Sequence, residues 1–88
     1  MKLIITIIRD IDDERVIERL IAEGHRVTRL ASTGGFLRRG NVTLLIGVNG
    51  EHQVQAVIDL LEKTCSPAEP DYHRATLFVI NAEHAEQI

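Results

Sequence analysis

Aromatic residues and cysteine are scarce in this sequence, and each scarcity excludes something. Of the 88 residues, none is tryptophan, one is tyrosine, two are phenylalanine and one is cysteine. The single thiol, Cys65, has no partner for an intramolecular disulfide, so we expect a reducing, cytoplasmic setting. Sheets that bind RNA carry aromatic residues on their central strands. The corresponding stretches here are aliphatic, which argues against that function.

Basic charge and long apolar runs are also lacking. Ten Lys and Arg residues stand against thirteen Asp and Glu residues, which gives a net charge of −3. This balance argues against nucleic acids and anionic membranes, because both attract basic surfaces. The first apolar run ends at Arg9, short of the roughly 7–15 residues of a signal-peptide core, and no run reaches the ~20 of a membrane span. We therefore expect neither a nucleic acid nor a membrane as a partner.

The apolar pattern that is present predicts one globular domain, residues 1–88, with six elements. Val16, Ile17, Leu20 and Ile21 recur at helical spacing before Gly24, a residue suited to the position after a helix. The predicted strands are 3–8, 25–32, 41–48 and 74–81, and the predicted helices are 10–24 and 51–65. The apolar stripe of the second helix comprises Val54, Val57, Ile58, Leu61 and Cys65.

This order of elements indicates an α+β, ferredoxin-like βαββαβ sandwich. Right-handed crossovers place both helices on one face of a single sheet. The strand at 3–8 is apolar on both faces, so the face without helices is expected to be covered too. Self-association into a closed, symmetric homo-oligomer is the simplest cover.

The glycine-rich segment 32–41 concentrates residue types that suit a nucleotide. On this interpretation its backbone N–H groups are expected to form an anion-binding turn, Arg38 and Arg39 to add permanent charge, and Phe36 to offer a ring for stacking. The alternative stays open: a plain hairpin turn with Phe36 packed in a neighbouring subunit and the arginines in solvent. Neither GxxxxGK[ST] nor GxGxxG is present. Candidate polar contacts that flank the segment are Arg26, Thr28 and Asn41.

The stretches "MKLIITIIRD", "ASTGGFLRRGN", "IGV" and "ATLFVI" resemble the cyclic-di-AMP receptor family of PII-like signal-transduction proteins. The resemblance covers almost the whole chain. It implies a homotrimer that binds the cyclic dinucleotide in clefts between neighbouring subunits. The ligand-binding residues it implies, together with their neighbours in the loop, are Arg26, Thr28, Thr33, Gly34, Gly35, Phe36, Leu37, Arg38, Asn41, Gly47, Phe78 and Gln87.

Within that set the chemistry suggests separate tasks. Arginines and loop amides hold the phosphates, Phe36 and Leu37 line the base pocket, and Thr28 and Asn41 read the base edge. A side chain at Gly47 would block close approach of a ligand to the backbone. One departure from the family is the connection before the last strand, "SPAEPDYH", which is unusually short and leaves the downstream protein partner open.

Other residues suggest other functions less strongly. His25, His52, His73 and His84 lack the spacing of a metal site, so we expect surface histidines, no metal and no cofactor. Cys65 is interpreted as a core residue, and the acids at 10–14 as the first turn of a helix. We expect no enzymatic activity. An acyl-phosphate-cleaving pair, Arg26 and Asn41, is one alternative, and a regulatory module for an amino acid or a linear adenine nucleotide is another.

Overall fold

A computed structural model describes residues 1–30, 40–70, 73–86 and 88 of the chain. The elements follow the predicted βαββαβ order, and a short 3₁₀ turn at Asp10–Asp12 precedes the first helix. The bounds are β1 Lys2–Arg9, α1 Asp13–Ala22, β2 Arg26–Leu30, β3 Asn41–Val48, α2 Glu51–Thr64 and β4 Ala75–Asn81.

The four strands form one antiparallel sheet in the order β2-β3-β1-β4. With two helices, this architecture is α+β and compatible with the predicted ferredoxin-like sandwich. Alternate residues of the central strands face the helices and are fully buried, among them Ile4, Ile8, Leu44 and Ile46. Both helices therefore cover the same side of the sheet, which we call the helix face.

The helices contact the sheet through stripes that differ slightly from the predicted ones. In α1, Val16 and Leu20 are fully buried, but Ile21 is 60% exposed, so its predicted place on the stripe is wrong. In α2, Leu60 joins the buried set, while Ile58 only packs at its margin. In both helices the centre of the predicted stripe is buried and only its margin differs. Helical periodicity fixes the spacing of a stripe more firmly than its edges.

Gly24 ends α1 as the sequence predicts. Its φ is +86°, a left-handed conformation in which glycine carries no steric cost. The Gly24 N–H donates to the Ile21 carbonyl at 2.9 Å, and the His25 N–H donates to the Leu20 carbonyl at 3.0 Å. The chain therefore reverses tightly into β2.

The opposite side of the sheet, which we call the uncovered face, is apolar. Leu3 and Ile5 of β1 are half-buried there, while Phe78 and Ile80 of β4 are 54% and 47% exposed. Each residue of the first pair lies directly opposite one of the second in the β1–β4 register. The predicted two-sided apolarity of β1 is thus present, and within one chain helices cover only one of its sides.

A buried carboxylate joins the start of α1 to the segment that follows α2. Asp12, fully buried, accepts hydrogen bonds from the Ser66 N–H at 3.1 Å, the Ser66 hydroxyl at 2.5 Å and the Arg15 guanidinium at 2.7 Å. Arg9 adds an ion pair at 3.8 Å. We call these four residues the Asp12 corner. Asp12 occupies the N-cap position of α1, but its side chain makes no cap hydrogen bond and instead holds the segment after α2.

Two arginines complete the end of α2. The Arg74 guanidinium donates to the carbonyls of Glu62, Cys65 and Ser66. The Arg9 guanidinium donates to the carbonyls of Ser66 and Pro67 at 2.8 and 2.9 Å. Carbonyl groups at a helix C-terminus lack partners within the helix and carry partial negative charge, so guanidinium groups suit them.

The Asp12 carboxylate is expected to contribute stability that depends on pH. Burial alone would raise the pKa of Asp12, but the hydrogen bonds from Ser66 and Arg15, with the nearby Arg9 charge, hold it below the ordinary value of 3.8. A carboxyl with a depressed folded-state pKa contributes fully above its unfolded pKa and loses that contribution as pH falls through the folded value.

Asp12→Asn is therefore expected to lower the free energy of unfolding at pH 7 by about 2–4 kcal/mol, because it leaves the buried Arg9 guanidinium without the Asp12 charge and weakens the bonds from Ser66 and Arg15. Urea denaturation at pH 7 and near pH 2.5 measures the effect, and the gap from the native protein should narrow at the lower pH. Asp59→Asn, an exposed change on α2, is the matched control and should stay within about 0.5 kcal/mol. A gap that is independent of pH would contradict the assignment.

Candidate functional site

Five of the residues predicted to bind ligand lie in described strands. They are Arg26 and Thr28 of β2, Asn41 and Gly47 of β3, and Phe78 of β4. Strand alternation places all five on the uncovered face, because their neighbours Val27, Val42, Ile46, Val48 and Leu77 pack into the core. The remaining predictions, Thr33, Gly34, Gly35, Phe36, Leu37, Arg38 and Gln87, lie outside the described residues.

Three of the five form a compact group. Arg26 lies directly opposite Gly47 in the β2–β3 register, and Thr28 lies one row further along, opposite Leu45. Residues two apart on a strand share a face and are about 7 Å apart. Arg26, Thr28 and Gly47 therefore surround one patch of the uncovered face, where β2 begins and β3 ends.

The other two residues lie apart from this group within one chain. Phe78 is on β4, at the opposite edge of the sheet from β2, a separation of three strand spacings, or about 14 Å. Asn41 is six residues before Gly47 on β3, which corresponds to about 20 Å along the strand. Arg26 and Asn41 are consequently at opposite ends of the β2–β3 hairpin, so the fold does not assemble them as an acyl-phosphate-cleaving pair.

Gly47 is the most informative residue of the group. Its φ is not in the left-handed region, and a Cβ built on it meets no atom of the described residues within 4 Å. Neither backbone conformation nor packing within the described part of the chain therefore requires glycine there. In the middle of a sheet glycine weakens the strand, and it commonly marks close approach of a ligand or another backbone.

A cleft of about 680 Å³ opens beside Gly47 and Arg26. Its walls come from the start of β1, the turn after α1, the end of β3 and residues 82–86 that follow β4. Volumes of roughly 300–1,000 Å³ are usual for small-molecule sites. The cleft thus has the size of a ligand site, and two predicted residues form one of its walls.

Three further cleft residues, Lys2, Gln53 and His84, were not predicted as site residues. The Lys2 ammonium is fixed by Glu51 at 3.0 Å and Asn81 at 2.9 Å. The Gln53 side-chain oxygen accepts from the Asn49 N–H at 2.7 Å, and His84 lies 3.4 Å from Glu86. No local sequence pattern joins these residues, since they meet only when the start of β1, the start of α2 and residues 82–86 lie at the same end of the sheet.

Charge in the cleft is mixed. Lys2 and Arg26 supply cationic groups to the cleft walls, and Glu23 and Glu86 supply carboxylates to the same walls. Such an arrangement suits a ligand with separate anionic and hydrogen-bonding parts better than a bare anion.

The described residues hold no group of three or more His, Cys, Asp or Glu side chains arranged to bind a metal ion. Cys65 is buried in the core cluster, as predicted. Burial raises the pKa of its thiol, and the nearby Asp12 charge raises it further. A protonated, buried thiol is a poor nucleophile. Across the described ranges, no helix is long and apolar enough to cross a membrane.

Comparisons with known proteins agree with this architecture. The sequence model of the family described as cyclic-di-AMP receptor matches residues 1–87. A solved structure from Pediococcus pentosaceus ATCC 25745, described as a functionally unknown protein, is similar with a TM-score of 0.75 and 30% sequence identity. That similarity covers 99% of this chain and 96% of the other.

Valine at position 47 is expected to be tolerated by the fold. Gly47→Val should change the free energy of unfolding by less than about 0.5 kcal/mol, because space is open and valine suits strands. Gly24→Val is the matched control: a Cβ there also meets no described atom within 4 Å, but φ is +86°. That backbone strain should cost about 1–3 kcal/mol. Thermal and urea denaturation measure both, and equal losses would show that Gly47 serves folding.

Proposed function

Because this chain belongs to the cyclic-di-AMP receptor family, we propose that it is a cytoplasmic, non-enzymatic sensor that binds cyclic-di-AMP between the subunits of a homotrimer. The observation that carries the proposal is the open backbone at Gly47. It lies opposite Arg26, beside Thr28 and at the wall of a cleft. Because glycine has no side chain, a base or ribose can approach the backbone of the strand closely at this position.

The position of Phe78 supports a site shared between subunits. Phe78 and Thr28 occupy the same row of the sheet but lie on opposite edge strands. In a closed ring each subunit uses one surface to contact a different surface of the next. A ring that joins a β4 edge to the neighbouring β2 edge brings Phe78 of one chain to the Arg26 group of another.

The uncovered face supports assembly for a second reason. Its exposed apolar side chains include Phe78 and Ile80 on β4 and Leu30, 41% exposed, on β2. Burial of apolar surface contributes about 25 cal/mol per Å². A trimer that buries these faces gains both stability and three shared clefts.

Within such a cleft each residue has a distinct chemical task. Arg26 and Arg38 neutralise phosphates, Thr28 and Asn41 hydrogen-bond the base edges, and Phe36 and Leu37 cover the base. Ligand then shifts the conformation of the glycine-rich segment only to the extent that it binds one conformation more tightly. The proposed output is a change in the surface offered to a protein partner.

Calorimetric titration tests the ligand. Cyclic-di-AMP should bind the native protein with micromolar or tighter affinity, and Asn41→Ala and Gly47→Val should each weaken binding at least tenfold, about 1.4 kcal/mol. Gln55→Ala, an exposed change on α2, should bind like the native protein. If the native protein gives no heat of binding at high micromolar ligand concentration, cyclic-di-AMP is excluded as the ligand. Native mass spectrometry of protein purified from cells would then identify a linear nucleotide or amino acid that co-purifies.

Light scattering tests the assembly. A chain of 9.9 kDa predicts about 30 kDa for the trimer. Phe78→Asp places a charge on the apolar face and should shift the mass toward that of the single chain, whereas Thr76→Asp, an exposed change on the same face of β4 nearer its start, should shift it less. A native mass of one chain would contradict the shared site.

A further inference from the structure

Two of the four histidines line the cleft, and the other two do not. His25 follows the glycine that ends α1, and His84 lies in the segment that follows β4. His52 and His73 are exposed and are not among the cleft residues. Because the sequence around these four side chains does not separate them, the difference in their placement comes from the fold.

Backbone hydrogen bonds fix both histidine-bearing segments beside the cleft. The His25 N–H donates to the Leu20 carbonyl at 3.0 Å, which holds His25 where β2 begins. The Ala82 N–H donates to the Met1 carbonyl at 3.0 Å, which holds the segment that contains His84 against the start of β1. The strands β2 and β4 are the two edges of the sheet, so the histidines enter the cleft from its two sides.

The surroundings of the two imidazoles differ. His84 is exposed, and its Nε2 lies 3.4 Å from the Glu86 carboxylate. His25 is half-buried, and none of the described residues forms a hydrogen bond or an ion pair with its imidazole. Polar groups that folding removes from water generally have a partner. A ligand in the cleft would supply the partner that the described part of the chain does not give to His25.

The charged groups around the cleft balance one another when the histidines are neutral. Three are cations and three are carboxylates: Lys2, Arg26 and the Met1 amino group, and Glu23, Glu51 and Glu86. Cyclic-di-AMP carries one negative charge on each of its two phosphodiester groups, so it meets no net positive charge among these described groups. Histidine is the side chain whose charge commonly changes between about pH 5 and 8. A proton on His25 would make the cleft cationic.

We propose that His25 is a further ligand-binding residue of this cleft and takes up a proton as cyclic-di-AMP binds, so that affinity rises as pH falls from about 8 to about 6. The assignment rests on the proposed function, because it takes cyclic-di-AMP as the occupant of the cleft. Its direction follows from linkage, since a ligand that binds the protonated form more tightly draws protons onto that form.

Two buried groups elsewhere do not titrate in this range. The pKa of the Asp12 carboxyl is held below 3.8 by its hydrogen bonds and the nearby Arg9 charge, although burial opposes this. Burial raises the pKa of the Cys65 thiol. Asp12 therefore stays ionised and Cys65 stays protonated between pH 6 and 8, so neither contributes to a change of affinity there.

Calorimetric titration with cyclic-di-AMP at pH 6, 7 and 8 tests the proton uptake. The native protein should bind about three- to tenfold more tightly at pH 6 than at pH 8, the effect of one added charge near a phosphate at a partly exposed site. Titrations at pH 7 in phosphate and in Tris should give different heats, because these buffers release protons with different enthalpies. Loss of stability alone does not produce that difference.

Three variants locate the proton. His25→Asn keeps a polar side chain without the charge, so it should bind like the native protein at pH 8, gain nothing at pH 6 and lose the difference between buffers. His25→Lys keeps its charge at pH 8 and should bind equally tightly at both pH values. His73→Asn is the matched control, since His73 precedes β4 at the end of the sheet away from the cleft. It should titrate like the native protein.

The outcomes separate this role of His25 from the proposed function. Native binding with the same affinity at pH 6 and 8 and no difference between buffers overturns the role of His25 alone. A pH dependence that persists in His25→Asn also overturns it, and assigns the proton to the Met1 amino group or to His84. Absence of binding at every pH overturns the proposed function, and the role of His25 with it.

Discussion

The alternation of side chains along four strands determines the rest of this structure. One set of alternate residues, including Ile4, Leu44 and Ile46, is fully buried under the helices. The other set must then share the opposite face, where apolar residues and the Arg26–Thr28–Gly47 group occur side by side. Since a strand of period two cannot shift by one residue without exchanging its faces, the core and the candidate site are fixed by a single register.

Much of the fold was accessible from the sequence because its signals are local. The isoleucine run, the clean alternation in "NVTLLIGV" and the glycine after α1 each dictate structure over a few residues. What failed depends on partners distant in sequence. Asp12 has the position of a helix cap, and its true partner, Ser66, is 54 residues away. Ile21 has the helical spacing of a buried residue, but its side chain is exposed because the sheet does not extend beneath it.

The candidate site also contains residues brought together by local contacts and residues that depend on partners distant in sequence. Arg26, Thr28 and Gly47 lie together because β2 and β3 pair as neighbouring strands, a local event, while their role as ligand contacts stays a prediction. Phe78 belongs to the other sheet edge, and only a second chain or an extended ligand would bring it to them. The cleft residues Lys2 and Gln53 carry no sequence signal, because β1 and α2 are distant in sequence and meet at the cleft only in the folded chain.

The C-terminal end of α2 has a consequence for how this chain folds. It is closed by guanidinium groups from β1 and from the residue just before β4, not by a glycine of its own. The Glu62 carbonyl in the final turn therefore gains its Arg74 bond, and the Ser66 carbonyl beyond the helix its Arg9 bond, only after the first and last strands have docked beside each other. In a growing chain these bonds at the end of α2 cannot form until Arg74 and β4 have been synthesised, which ties completion of the helix layer to closure of the sheet.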